Sequence, residues 1–327
     1  MEPHAVGITT TIPAEVLFAS GHTPLDLNNA FVTADRPLAR VERAERRGFP
    51  RNMCSWVKGI YATVHELGLR CVVAVVQGDC SNTHALMEVL ESEGMRVVGF
   101  AYPWRRDREA LGRQLVHLAE AFATTLGAAE EQKRRLDRIR AVVHEIDRLT
   151  WETGQVGGAE NLQWTVNCSD FEGEPSSFES RARAFLAEAR ARSPRRPAVR
   201  LGLLGVPPIC PDLFERLGEL GAEVVFNEMP RQFAMPGPSA TLLDQYLRYT
   251  YPYDIFHRLE DIERECRRRR LDGVVHYVQS FCYRQVQDRL IRERLDLPVL
   301  TLECDRPGPL DAASRTRLEA FVEMLES

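Results

Sequence analysis

Short apolar runs alternate with amphipathic segments along most of the chain. The apolar runs occupy residues 6–11, 71–77, 96–102, 199–206, 223–227, 273–279 and 298–303. Strands that are apolar on both faces are typical of a parallel sheet covered by helices. The segments between the runs carry the spacing of amphipathic helices, so the pattern predicts an α/β fold built from two groups of strands.

A helical stretch separates the two groups of strands. Its apolar residues recur at spacings of three and four, at Leu136, Ile139, Val143, Ile146 and Leu149. This spacing predicts one apolar stripe on a long, otherwise charged helix.

The boundaries of these regions follow from where the pattern changes. A further helical pattern covers residues 177–191. It ends before Pro194 and Pro197, because proline cannot continue a helix. We therefore expect a first α/β lobe over residues 1–127, a helical segment over 128–192 and a second α/β lobe over 193–327.

Composition and charge narrow the class of protein. The chain has 327 residues, of which 44% are hydrophobic and 27% are charged, with a net charge of −5. This is ordinary globular composition, and the negative charge argues against a nucleic-acid binder. No apolar run approaches the roughly 18 residues of a membrane helix. Residues 1–4 do not begin a signal peptide, so we expect a cytoplasmic protein without membrane contact.

The eight cysteines are the first unusual feature. They lie far apart and form no Cys-x-x-Cys pair, which leaves zinc ribbons, ferredoxin loops and thioredoxin motifs unsupported. In a reducing cytosol they are free thiols or metal ligands. A site made from them must be assembled from distant parts of the fold.

Two of the cysteines end the same short motif. Val-Gln-x-x-Cys closes a predicted strand at Cys80 and again at Cys282, and Cys54 falls in the first turn of another predicted helix. Ligands of open α/β sheets bind at these strand ends, and a helix start stabilises a thiolate. Three such thiolates suit three corners of a four-iron cluster and leave one iron open. The alternative is that each is a small buried side chain at a strand end.

The remaining cysteines and histidines carry weaker signals. Cys71 and Cys266 fall inside a strand and a helix and are expected to pack. Two histidines near the predicted crevice, His84 and His276, are more typical of hydrogen-bonded core residues. Three further thiols lie in a polar loop or at strand ends, at Cys168, Cys210 and Cys304. No phosphate-binding P-loop, dinucleotide fingerprint, nucleophile elbow or His-Glu-x-x-His motif is present.

The order of the motifs resembles a known family. In the first lobe the matching stretches are Gly-Ile-Thr-Thr-Thr-Ile-Pro-Ala-Glu from Gly7, Cys-Ser-Trp-Val-Lys-Gly from Cys54 and Gln-Gly-Asp-Cys from Gln77. In the second they are Asn-Glu-Met-Pro-Arg-Gln-Phe from Asn227, Tyr-Pro-Tyr-Asp-Ile-Phe from Tyr251 and His-Tyr-Val-Gln-Ser-Phe-Cys from His276. Residues 6–325 thus resemble the 2-hydroxyacyl-CoA dehydratase and benzoyl-CoA reductase superfamily, on its D-component side.

The resemblance implies a fold, a cofactor and partners. The fold is two flavodoxin-like lobes, and the cofactor is a [4Fe–4S] cluster on Cys54, Cys80 and Cys282. A separate ATP-dependent activator, itself an iron–sulfur protein, delivers one low-potential electron to an acyl-CoA substrate. A ketyl radical then leads to loss of a hydroxyl or to reduction of an arene. We also expect a dimer, with a paralogous subunit or a second copy, and lability toward oxygen.

Three further residues are candidates near this cluster. Lys58 follows Cys54 by one helical turn, so we expect it to offset the charge of the cluster. Thr10, at the end of the first strand, and Glu15, at the start of the next helix, are candidates for proton transfer at the substrate. The alternative is an exposed lysine and a glutamate that stabilises the helix dipole.

Other functions remain open from the sequence. One is a double-cubane reductase of small molecules, with extra ligands from Cys168, Cys210 and Cys304. Another is an electron-transfer protein that carries a cluster without substrate turnover. The last is a cluster-free α/β binding protein in which the cysteines are structural.

Overall fold

The computed structural model describes residues 5–280 and 282–327. Residues 1–4, on which the expectation of no signal peptide depends, and Phe281, in the second Val-Gln-x-x-Cys motif, lie outside the described residues. No helix in the described ranges is both long and apolar enough to cross a membrane.

The strands of the described ranges form two four-stranded, all-parallel sheets. They are β1 Ala5–Ile8, β2 Thr23–Asp26, β3 Cys71–Gln77, β4 Arg96–Ala101, β5 Val199–Gly205, β6 Ala222–Asn227, β7 Gly273–Val278 and β8 Val299–Glu303. The orders are β2-β1-β3-β4 and β6-β5-β7-β8. Each sheet thus repeats the 2-1-3-4 order that begins a flavodoxin-like sheet, which confirms the predicted fold class.

Helices connect and cover the strands. In the first half they are α1 Ala14–Ala19, α2 Leu27–Val32, α3 Pro37–Arg46, α4 Ser55–Glu66, α5 Ser81–Ser92, α6 Arg108–Ala121, α7 Leu126–Glu152 and α8 Gly158–Val166. In the second half they are α9 Pro175–Ala191, α10 Leu213–Glu219, α11 Glu228–Phe233, α12 Leu242–Arg248, α13 Ile255–Arg269, α14 Tyr283–Val286, α15 Asp288–Arg294 and α16 Ala312–Glu326. Two short 3₁₀ helices cover Asn167–Ser169 and Phe171–Gly173.

The apolar runs predicted seven of the strands but missed β2. This strand is only Thr-Pro-Leu-Asp, and its proline cannot donate a ladder hydrogen bond. The structure accommodates Pro24 because β2 lies at the edge of its sheet.

The long helix α7 connects the two lobes. The five residues of its predicted apolar stripe are all buried, which confirms that prediction. Two buried ion pairs attach the helix at different points. Arg140 on α7 lies 2.7 Å from Glu15 on α1, and Asp147 on α7 lies 2.5 Å from Arg269 on α13. The division at residues 127 and 192 stays a prediction.

Candidate functional site

The carboxyl ends of both sheets face one cavity of about 250 Å³. Parallel strands bring all their carboxyl ends to the same edge, so the loops after β1, β3, β5 and β7 contribute to its wall. Both lobes therefore contribute to one site. The side chains that line it and carry chemistry are Thr9, Thr10, Asp26, Cys54, Trp56, Asp79, Cys80, Gln279, Cys282 and Arg284.

The structure brings Cys54, Cys80 and Cys282 together in this cavity. Each is the residue immediately before a helix: α4, α5 and α14 respectively. The sequence predicted Cys54 inside the first turn of its helix. In the structure Cys54 is instead the residue that caps the helix. Cys80 and Cys282 follow β3 and β7, which occupy the same position in their two sheets.

The two Val-Gln-x-x-Cys motifs differ in detail. Gly78 in the first has a positive φ of 96°, and a Cβ there would lie 2.8 Å from the carbonyl oxygen of Pro252. Only glycine suits this position. The second motif has Ser280 instead, whose backbone N–H donates to Asp305 at 2.7 Å. The two motifs thus place their cysteines alike, although Gly78 and Ser280, at the same motif position, make different contacts.

Two of these thiols, Cys54 and Cys80, are held in the protonated form when nothing is bound. Burial raises the pKa of Cys54 to about 12 and that of Cys80 to about 11. The backbone N–H groups at the start of α4 lower the pKa of Cys54, but burial outweighs them. The expected activation by a helix start is therefore not the dominant effect. Cys54 donates its proton to the side-chain oxygen of Gln279 at 3.0 Å.

The three thiols of this cavity are donors of the type that holds an iron–sulfur cluster. Among the described residues, no three His, Cys, Asp or Glu side chains are arranged to hold one ion. A four-iron cube binds each cysteine through a different iron, so its sulfurs need to lie only roughly 6–7 Å apart. Within the described residues, the buried side-chain N–H groups of Trp56 and Gln279 also lack partners at this cavity. Such donors suit sulfide or substrate acceptors.

Thr10 lines the cavity, as the sequence predicted, but Glu15 does not. Glu15 is fully buried and accepts hydrogen bonds from Arg140 at 2.7 Å, Gln245 at 2.8 Å and Tyr246 at 2.9 Å. Glu15 lies in the first turn of α1, where the helix-dipole alternative expects it, and its role in proton transfer stays a prediction. The carboxylate is the centre of a structural cluster, because its acceptor sites are used within the chain.

Lys58 is buried and is not among the residues that line the cavity. Its Nζ donates to Glu45 at 2.8 Å and to the carbonyl oxygen of Arg51 at 3.1 Å. The hydrogen bond from Lys58 lowers the pKa of Glu45. The lysine is therefore not exposed, and its charge is paired with a carboxylate on α3.

The sequence did not single out a pair of carboxyls beside the cavity. Asp26 caps α2 and lines the cavity, and Asp170 accepts the backbone N–H of Asp26 at 2.7 Å. Burial raises the pKa of Asp26, and burial together with the charge of Asp26 raises the pKa of Asp170 to about 7. The two residues are 144 positions apart, so no local motif reveals them.

The other five cysteines lie outside the cavity lining. Cys168 belongs to a 3₁₀ helix and not to a polar loop, and it donates to the carbonyl oxygen of Trp164 at 3.5 Å. Cys210 and Cys304 pack in the same apolar cluster of the second lobe. Cys71 packs against the core, and Cys266 is buried within it.

Neither of the two histidines predicted near the crevice, His84 and His276, lines the cavity. His276 is buried against Asp288, with 2.8 Å between its Nδ1 and the carboxylate, as expected of a core histidine. His84 is half exposed and lies 3.9 Å from Glu88 on the same helix.

Comparison with known proteins gives one decisive match. No curated protein matches the chain. Among solved structures, it is similar to the SBP FpvC from Pseudomonas aeruginosa in complex with Mn2+, with 14% identity over 99% of this chain and 98% of that one. The TM-score of 0.24 is too low to carry any argument. The family model of the 2-hydroxyglutaryl-CoA dehydratase D-component matches residues 9–325, and the chain belongs to that family.

Proposed function

We propose that this protein is the iron–sulfur component of an activator-dependent 2-hydroxyacyl-CoA dehydratase or a related low-potential reductase. Family membership supports a component of the 2-hydroxyacyl-CoA dehydratase type. The observation that carries the finer proposal is the meeting of three cysteines from two lobes in one cavity. Free thiols that merely pack have no reason to converge from both sheets.

Cys54, Cys80 and Cys282 would hold a [4Fe–4S] cluster, which supplies single-electron chemistry at low potential when bound. Their protons must leave first, because only thiolates bind the metal. A double cubane needs further ligands, and Cys168, Cys210 and Cys304 do not line the cavity. The residues therefore favour a single cube.

The cavity wall supplies the surroundings that an acyl group requires. Val57, Ile60, Met229 and Phe233 form an apolar part of the lining, which binds the acyl chain and excludes water. Loss of water from a 2-hydroxyacyl group removes one hydroxyl and one proton, so a proton must move on the protein. Asp26 is the candidate carrier, because it lines the cavity and shares its buried environment with Asp170.

The partners belong to the same proposal. We propose that an ATP-dependent activator delivers the electron that forms the ketyl radical, since the sequence has no phosphate-binding P-loop. A paralogous subunit or a second copy completes the dimer.

Anaerobic reconstitution tests the cofactor. The wild type is expected to take up about four iron and four sulfide per chain. Cys54→Ser, Cys80→Ser and Cys282→Ser each lower this uptake severalfold, whereas the matched control Cys266→Ser, a buried cysteine in the second lobe, retains it. If the wild type takes up no iron and sulfide, the proposal is overturned in favour of a cluster-free binding protein.

Turnover tests the reaction. The loaded protein, its dimer partner, the activator, ATP, a reductant and a 2-hydroxyacyl-CoA are expected to yield the enoyl-CoA, and omission of ATP abolishes the product. A loaded cluster without turnover of any acyl-CoA would indicate an electron-transfer protein. Full turnover by the aerobically handled chain alone would overturn the proposal.

A further inference from the structure

Buried arginines in this protein have carboxylate partners, with one exception. Six arginines are buried among the described residues, and five of them form ion pairs within 4.0 Å: Arg40 with Glu66, Arg140 with Glu15, Arg231 with Asp261, Arg258 with Glu228 and Arg269 with Asp147. The sixth, Arg284, is 2% exposed, and no described carboxylate lies within that distance of it. A buried charge without a counter-charge is costly, so its retention points to a missing partner.

The contacts that Arg284 does make are neutral. Its Nη2 donates to the carbonyl oxygen of Tyr251 at 2.7 Å, and Nη1 lies 3.5 Å from the side-chain oxygen of Gln287. The guanidinium carbon lies 3.7 Å from the centre of the Tyr251 ring and 4.9 Å from that of Tyr283. These contacts fix the position and plane of the guanidinium. They leave its charge uncompensated, because guanidinium does not lose its proton in proteins.

Arg284 lines the cavity, two residues after Cys282. Glu228 already pairs with Arg258 through two hydrogen bonds of 2.7 and 2.8 Å. Asp79 also lines the cavity but lies beyond ion-pair distance of Arg284. The positive charge is therefore free to act on an anion inside the cavity.

We propose that Arg284 is a positioning residue whose fixed charge offsets the negative charge of the iron–sulfur group on Cys54, Cys80 and Cys282. This inference rests on the proposed function. Three thiolates outweigh the positive charge of an oxidised [4Fe–4S] core, and the one electron accepted from the activator adds further negative charge. A nearby cation stabilises the reduced state more than the oxidised state, and so raises the reduction potential. Lys58, predicted for this role, is committed to Glu45.

The test is a redox titration of anaerobically reconstituted protein, followed by electron paramagnetic resonance. Arg284→Gln removes the charge and is expected to shift the midpoint potential to more negative values. Arg284→Lys keeps the charge and is expected to stay closer to the wild type. Arg289→Gln is the matched control, because Arg289 is an exposed arginine on the following helix and pairs with Glu293. It removes the same charge from the chain without changing the potential.

The outcomes separate this inference from the proposed function. A wild type that binds no iron and sulfide overturns both. A loaded Arg284→Gln protein with the wild-type potential overturns only the role of Arg284. If Arg284→Gln does not fold, Arg284→Met removes the charge and keeps an apolar side chain against Tyr251. Equal shifts of the midpoint potential in Arg284→Gln and Arg284→Lys would also overturn the role of the charge. They would show that the potential depends on the stacking of the guanidinium against Tyr251.

Discussion

Two buried polar regions of this protein use charge in opposite ways. Around Glu15, the carboxylate is surrounded by Arg140, Gln245 and Tyr246, so every strong interaction closes within the chain. At the cavity wall, Arg284 has no ion pair with a carboxylate of the described residues, and the carboxyl groups of Asp26 and Asp170 lie close together. A polar cluster whose partners all lie within the chain stabilises the fold, whereas a buried charge without a partner indicates a bound ligand.

The largest expected effect is at the closed cluster. Arg140→Ala leaves the fully buried Glu15 without its cation, which is expected to lower the free energy of unfolding by about 3–5 kcal/mol. Urea denaturation measures the change. The matched control is Arg183→Ala, which removes an exposed arginine paired with Glu179 at 2.6 Å and costs less than about 1 kcal/mol. Equal losses in the two variants would contradict the distinction.

The carboxyl pair at the cavity wall is expected to make the stability of the protein depend on pH. Because the pKa of Asp170 is raised in the folded state to about 7, the folded protein binds more protons than the unfolded chain between about pH 4 and 7. Its contribution to stability is therefore present at low pH and is lost as the pH rises through that range. Asp170→Asn is expected to reduce this loss by about 1–3 kcal/mol, measured by denaturation across the range.

The control for this pH effect is another carboxylate that caps a helix. Asp311 is exposed, and its hydrogen bonds with Ser314 lower its pKa. Its contribution to stability is therefore present above the pKa of the unfolded chain and is lost as the pH falls. Asp311→Asn must change the pH dependence with the opposite sign, and the same sign in both variants would refute the assignment of Asp170.

The smallest expected effect concerns Lys58. The sequence predicted it beside the cysteines, but in the structure it is paired with Glu45. Lys58→Met is expected to cost about 1 kcal/mol of stability, because it breaks a charge-assisted hydrogen bond with a partly exposed Glu45. A double-mutant cycle with Glu45→Gln measures the coupling. The midpoint potential of the reconstituted protein should stay unchanged, and a shift as large as that of Arg284→Gln would restore Lys58 to the cluster.

Hydrophobic pattern was enough to predict most of the fold. Buried parallel strands are apolar on both faces, so β5 to β8 were recognisable with ends accurate to one or two residues. β2 was not, because four residues with a proline carry no strand pattern. The segment between β7 and β8 forms two helices, α14 and α15, which are separated at Gln287.

The candidate site was only partly predictable. Strand ends and helix starts are visible in the sequence, and they carry Cys54, Cys80, Cys282 and Thr10 to the cavity. Helical spacing placed Lys58 one turn from Cys54, but it says nothing about a neighbouring helix, and Glu45 lies there. The isolation of Arg284 depends on its distance to every carboxylate in the folded molecule, which no local pattern contains.

The spread of the three cysteines along the chain also has a consequence for biosynthesis. Cys282 follows Cys54 by 228 residues, so a ribosome needs about 10–50 seconds between making the first and the last of them. For most of that interval the nascent first lobe carries both Cys54 and Cys80 without the second-lobe part of the cavity wall. A group that requires all three thiols is therefore inserted only after β7 has joined its sheet, and the exposed pair is most open to oxidation during synthesis.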